Sequence, residues 1–195
     1  MIRLFCMVAL LGSSVAYAGG RPGQYYLVVR GVQEGDGVTS GILPELKTLF
    51  LAELKKHSEL TLEAPAGLPA DPEALHDELA KRKIRALEVT LRVLGVTSTV
   101  NPPRDGKQFR VLQRGVKLSV FGSTIPENVV AIGGNGESTV GTEIGKTADV
   151  EREGKPLLLD AAKEAIRQAV DMTVTKLNLA AKSEAAGPKK PKKKK

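Results

Sequence analysis

From Leu87 to Val93 the chain alternates without a break. Leu87, Val89, Leu91 and Val93 point one way, and Glu88, Thr90 and Arg92 point the other. Side chains of a strand leave opposite faces in turn, so this run is a strand with an apolar side and a polar side. Tyr25 to Val29 (YYLVV) is instead a continuous apolar run, the pattern of a strand buried on both faces. Between the two lie Leu43, Leu46, Phe50 and Leu54 at helical spacing, followed by Lys55, Lys56 and His57 at the carboxy-terminal end of that helix's dipole. Leu60 to Glu63 reads as a short strand. Asp71-Pro72-Glu73 starts a second helix with a capping oxygen, a first-turn proline and an acid; it carries Leu75, Leu79 and Ile84.

After the alternating run, Asn101 to Gly106 is a turn cluster. Phe109 to Phe121 resumes a strand with Val116, Leu118 and Val120 on one face, and Val129 to Val140 completes a meander. Gly133, Gly134 and Gly136 in that last strand suggest a bulge or sharp bend. Residues 142 to 155 lack periodicity and read as a loop. The final helix places Leu159, Ala162, Ile166, Val170, Thr173 and Leu177 on one face. The expected order is β-α-β-α-β-β-β-α, an α/β (α+β) class with a single mixed β-sheet and three helices.

The amino terminus has a different character. Arg3, an apolar stretch from Leu4 to Leu11, and Val15-Ala16-Tyr17-Ala18 before Gly19 form the three parts of a cleavable signal peptide, residues 1–18. The competing reading is an uncleaved anchor. The apolar run is too short to span a bilayer, which takes roughly 20 apolar residues. The predicted cleavage lies between Ala18 and Gly19, and the only cysteine, Cys6, lies upstream of it. An acylated lipoprotein would need a cysteine where Gly19 stands. The expectation is therefore a periplasmic or secreted product, not a lipoprotein, without disulfides, and with no transmembrane segment after the signal.

Six lysines, Lys189, Lys190, Lys192, Lys193, Lys194 and Lys195, together with Arg3 account for the whole formal charge of +7. The body between Gly19 and Pro188 is near neutral, so residues 19–180 read as a single domain and 181–195 as a disordered lysine-rich tail. Outside the cytoplasm such a tail would meet anionic lipid or polysaccharide, with about 1 kcal/mol per lysine near an anionic membrane. The competing reading is a solvated, solubilising end. Tryptophan is absent and only seven residues are Phe or Tyr, which argues against a nucleic-acid platform built on stacking rings.

Candidate chemistry is thin. His57 and His76 fall on separate predicted helices with no His-x-x-x-His or cysteine pair, so no metal is expected. Gly122-Ser123-Thr124 and Gly136-Glu137-Ser138 do not form a nucleophile elbow. Glu127, Glu137, Glu143 and Asp149 lie around the meander, and an acid–base role would need two of them to meet across a cleft. The glycine-rich stretch from Gly31 to Gly41 precedes a helix but lacks the lysine of a phosphate loop and the spacing of a dinucleotide fingerprint. No cofactor is expected.

The segments YYLVVRGV, LPELKTLFLAELKKHSELTLE, PEALHDELAKRKIRALEVTLRVLGV, VKLSVFGSTIPENVVAIGGNGES and LLLDAAKEAIRQAVDMTVTKL, over roughly residues 25 to 178, resemble a family of envelope proteins. That family comprises the CsgG-like domain, the LpoB lipoprotein and the amino-terminal domain of TolB. The chain departs from it at Arg30-Gly31-Val32, where the family has Pro-Phe, and in lacking the acylated cysteine. The resemblance implies a non-enzymatic interaction or scaffold domain of the bacterial envelope with a protein partner, and it supplies no catalytic residues. The alternative is a binder of anionic envelope polymers or lipids through the tail.

Overall fold

The computed structural model of the chain describes residues 25–35, 40–69, 71–82, 84–103, 108–125 and 129–185. The predicted signal with Ala18 and Gly19, Glu127, and the six tail lysines lie outside the described residues.

Eight regular elements follow the expected order: β1 Tyr25–Gln33, α1 Leu43–Leu54, β2 Leu60–Thr61, α2 Pro72–Lys81, β3 Arg85–Asn101, β4 Phe109–Thr124, β5 Val130–Gly145 and α3 Val150–Ala185. One five-stranded mixed sheet runs β2-β1-β3-β4-β5. β1 pairs in parallel with β2 and β3, while β3-β4 and β4-β5 are antiparallel. The helical crossovers deliver the parallel strands and short turns deliver the meander, so a single mixed sheet is the outcome.

α1 and α3 share one face of the sheet. Leu46, Phe50 and Leu54 of α1 and Ala162, Ala165, Ile166, Ala169 and Val170 of α3 form one core with the alternating row Leu87, Val89, Leu91, Val93 and with Val116, Leu118 and Val120. Leu91, Val93, Leu118 and Val120 are fully buried, as the alternation requires. Thr90 and Arg92, between them, are half-buried and exposed on the other face.

Several boundaries differ from the sequence reading, each for a local reason. β1 continues past Val29 to Gln33 through a bulge at Arg30. Gly31 sits there at φ 143°, a conformation that L side chains rarely adopt. The first part of the expected glycine-rich connection is therefore strand. Val28 and Val29 are only half-buried, so β1 is not dry on both faces. Ile84 stands beyond α2, donating its N–H to the Leu79 carbonyl at 2.9 Å. His57 likewise lies past α1, its N–H on the Leu54 carbonyl at 3.2 Å. A bulge at Leu94 keeps Val96 and Val100 opposite Val116 and Leu112 as β3 runs on to Asn101.

The expected loop 142–155 does not exist as such. β5 extends to Gly145 and α3 begins at Val150, with Pro156 inside it. Asp149 accepts from the N–H groups of Glu151 and Arg152 at 2.9 and 3.2 Å and so caps the helix. At its other end α3 runs to Ala185, into the segment read as tail.

Gly133 to Gly136 form no bulge either. Phe121↔Gly133, Val120↔Gly134, Ser119↔Asn135 and Leu118↔Gly136 continue in regular register. A Cβ at Gly134 or Gly136 would collide with the carbonyl of Ala169 or Ala165. These glycines let α3 rest its backbone directly on β5.

Candidate functional site

Two surfaces stand out: the free edge of β5 and a cleft at the end of the sheet where β1 and β3 begin.

β5 is one border of the sheet. The Glu137 N–H donates to the Gln168 side-chain oxygen at 3.3 Å, and the Gly133 carbonyl accepts from the Lys176 ammonium. Both groups point away from β4, so the odd-numbered residues of β5 turn their backbone outwards. α3 thus takes up two outward groups of the edge between residues 133 and 137. Further along, the outward groups of Thr139, Gly141 and Glu143 have no partner among the described residues.

The cleft is built from distant parts of the chain. Tyr25 opens β1 opposite Arg85, which opens β3. The Tyr25 hydroxyl donates to the Leu177 carbonyl of α3 at 2.9 Å, and Arg85 donates to that hydroxyl at 3.3 Å. The guanidinium stands 5.8 Å from the Tyr25 ring centroid, within cation–π range. α2 forms one wall through His76, Leu79 and Ala80, held in place from both ends. Asp71 caps it by accepting from the Ala74 N–H at 3.0 Å. Arg82 binds Glu78 at 2.6 Å and the Ala66 carbonyl at 2.8 Å. Hydrogen bonding from Arg82 is the main reason the Glu78 carboxyl lies below the ordinary carboxylate range. The cleft is open to solvent and has a volume of about 390 Å³, within the usual size of a small-molecule site.

The residues singled out from the sequence are scattered. His57 stands 3.5 Å from Asp171 of α3. His76 lies beside Asp77 and lines the cleft, and was not recognised as a site residue from the sequence. Glu137 faces Lys117 across the strands at 3.4 Å, and Asp149 is occupied in capping α3. Glu137 and Glu143 are six residues apart on one strand. At about 3.3 Å per residue that separation is about 20 Å, twice what a carboxylate pair spans across a glycosidic bond. Among the described residues no three His, Cys, Asp or Glu side chains gather into a metal-holding group. Ser40 to Ile42 forms a single 3-10 turn that leads into α1, whose N-cap Ile42 makes no side-chain cap. No helix among the described residues is long and apolar enough to cross a membrane.

No family model matches the chain, and no curated protein matches it. Similar solved structures include a Helicobacter pylori protein described as a neuraminyllactose-binding hemagglutinin homologue, at 9% identity and TM-score 0.49, over 84% of this chain and 90% of that one. A minor lipoprotein from Acinetobacter baumannii matches at 12% identity and TM-score 0.39, over 76% and 93%. Rare lipoprotein B from Shewanella oneidensis matches at 12% identity and TM-score 0.29, over 80% and 97%. Two of these three are described as lipoproteins, and none is described as a CsgG-like or TolB-like domain. At such scores the likeness carries no argument about function.

Proposed function

We propose that this protein is an exported, non-enzymatic interaction domain of the bacterial cell envelope that holds a protein partner along the free edge of β5. The observation that carries the reading is the unpaired row of outward backbone groups at Thr139, Gly141 and Glu143. An exposed strand edge is a template for another chain, and natural proteins usually blunt it. Here α3 covers only the stretch around residues 133–137. A partner strand laid on the remainder would gain main-chain hydrogen bonds, the mode called β-augmentation. Export rests on the amino-terminal signal pattern, and the envelope setting on the resemblance in element order.

Proline tests this reading because it removes an N–H. At Thr139 and Glu143 that N–H points away from β4, so Thr139→Pro and Glu143→Pro spare the internal ladder, as edge positions tolerate. Cross-linking in envelopes should capture a discrete protein with the parent chain and with Thr139→Ala and Glu143→Ala, but not with the proline variants. Capture that survives both prolines in folded protein would refute the edge as the binding surface. The second reading, anionic polymer or lipid held by Lys189 to Lys195, would be favoured if only lipid or polysaccharide were recovered and deletion of 186–195 abolished it.

A further inference from the structure

We infer that the protein held on the β5 edge is a second copy of this chain, paired antiparallel about a twofold axis that passes through Gly141. The inference rests on the edge reading above and names its occupant.

Hydrogen bonding makes the free stretch symmetric. Among the described residues the longest unbroken run of free outward groups is Thr139, Gly141 and Glu143. At one end the Glu137 N–H is taken by Gln168. At the other the Gly145 carbonyl accepts from the Ala148 N–H at 3.0 Å. A twofold contact requires a patch that is complementary to itself. Rotation about Gly141 meets that requirement: Thr139 faces Glu143 of the second copy, Gly141 faces Gly141, and Glu143 faces Thr139. Each facing pair exchanges two N–H···O bonds, so the run forms about six. An axis through Val140 sets Glu143 against Glu137, whose N–H is already used. An axis through Thr142 sets Thr139 against Gly145, whose carbonyl is already used.

Charge selects the same register. Glu143 is the only charged residue between Glu137 and Lys146. About Gly141 the two copies of Glu143 stand four residues apart, about 13 Å along the strands, which exceeds the Debye length of about 8 Å at physiological salt. The axis through Val140 would instead place the Glu143 and Glu137 carboxylates directly opposite, a destabilising pair. On the side that carries α3, half-buried Val140 faces Thr142 of the second copy at the closer spacing of a non-hydrogen-bonded pair. So short a strand pair buries less than the roughly 1,200 Å² of a standard interface, which makes the association a reversible one.

The test uses the full 195-residue chain with Cys6, its only cysteine, replaced by serine. Facing hydrogen-bonded residues have Cα atoms about 5.5 Å apart, within disulfide reach. A Cβ at Gly141 meets the flexible Gln113 side chain at 3.1 Å, which can give way. Under mild oxidation Gly141→Cys should link to itself. Thr139→Cys and Glu143→Cys should each stay unlinked alone and link when mixed. In sedimentation equilibrium the chain should dimerise reversibly between roughly 10 μM and 1 mM. Thr139→Ala should keep that behaviour, and Thr139→Pro, shown to be folded by circular dichroism, should weaken it about tenfold. Self-linking of Glu143→Cys as fast as that of Gly141→Cys, or unchanged dimerisation in folded Thr139→Pro, would overturn the inference. A monomer at all these concentrations, with proline-sensitive capture of a different protein from envelopes, overturns it and leaves the edge reading standing. A monomer with capture that ignores the prolines overturns both.

Discussion

Gly136 of β5 lies directly under Ala165 of α3, so close that a methyl group at Gly136 would overlap the Ala165 carbonyl oxygen. Gly134, two residues earlier and on the same face, stands in the same relation to Ala169. Gly136→Ala and Gly134→Ala should each destabilise the fold by about 1–3 kcal/mol, the usual cost of overpacking. A domain of this size loses about 2–4 °C of Tm per kcal/mol. Gly133→Ala is the control, since a Cβ there meets the Val120 carbonyl at an ordinary 3.5 Å. Thermal melts of the three variants should separate Gly133 from the other two.

Arg114 is 8% exposed and spreads its guanidinium against Gly154, donating to the Glu151 carboxylate at 3.1 Å and the Val150 carbonyl at 3.4 Å. Its Nε is buried without a hydrogen bond. The stem should therefore matter more than the charge. Arg114→Met keeps most of the volume and should cost less than about 1.5 kcal/mol, whereas Arg114→Ala leaves a cavity and should cost about 2–5 kcal/mol. Urea midpoints decide the matter, and equal losses in both variants would contradict it.

The cap on α3 is a single side chain. Asp149→Ala frees the N–H groups of Glu151 and Arg152 and should cost about 1 kcal/mol, while Asp149→Asn should retain most of it. Faster exchange of those two amides in the alanine variant is the direct readout.

Acid should loosen α3 through its carboxylates. Glu164 accepts from Arg167 at 2.6 and 2.9 Å and from Gln168 at 3.0 Å, which lowers its pKa to about 2 from the ordinary 4.5. Glu59 is also lowered, first by its own backbone N–H and then by the Asn178 side chain, which ties the approach to β2 to α3. A depressed folded pKa means that the unfolded chain takes up the proton first. The stabilisation is present above pH 4.5 and is lost as pH falls towards 2. Glu164→Gln should flatten the dependence of the urea midpoint on pH across that window and bring the neutral-pH midpoint slightly below that of the parent, where the carboxylate's stabilisation is present.

Wherever one residue face meets the core, the fold was legible in the sequence. Leu87 to Val93, Leu46-Phe50-Leu54 and the Ile166-Val170-Leu177 face all lie where the periodicity puts them. Legibility fades where strands outlast the core. Thr97 to Asn101 is exposed on both sides, and Gly141-Thr142-Glu143 at the sheet border is exposed as well, so neither carries an alternating pattern. The first turns of α3 were hidden because residues 150 to 155 are polar and lack periodicity; Gly154 there is the place where the Arg114 guanidinium fits. The spacing of Gly134 and Gly136 did carry a signal, because residues two apart share a strand face. It marked a seat for a helix and not a bend. The cleft was not legible, since Tyr25, Leu79, Arg85, Ile125 and Leu177 come from separate elements and meet only after the chain has folded.

The two borders of the sheet are unequal: β2 offers two residues, Leu60 and Thr61, and β5 offers sixteen. β2 covers only Tyr25 and Tyr26 of β1, and β1 in turn covers β3 only as far as Arg92. That side of the sheet therefore descends in steps, whereas β5 is one continuous strand. Among the described residues no step is as long as β5, so the longest match an identical copy can offer to β5 is another β5, antiparallel about a twofold axis. An association of that kind closes on itself as a pair.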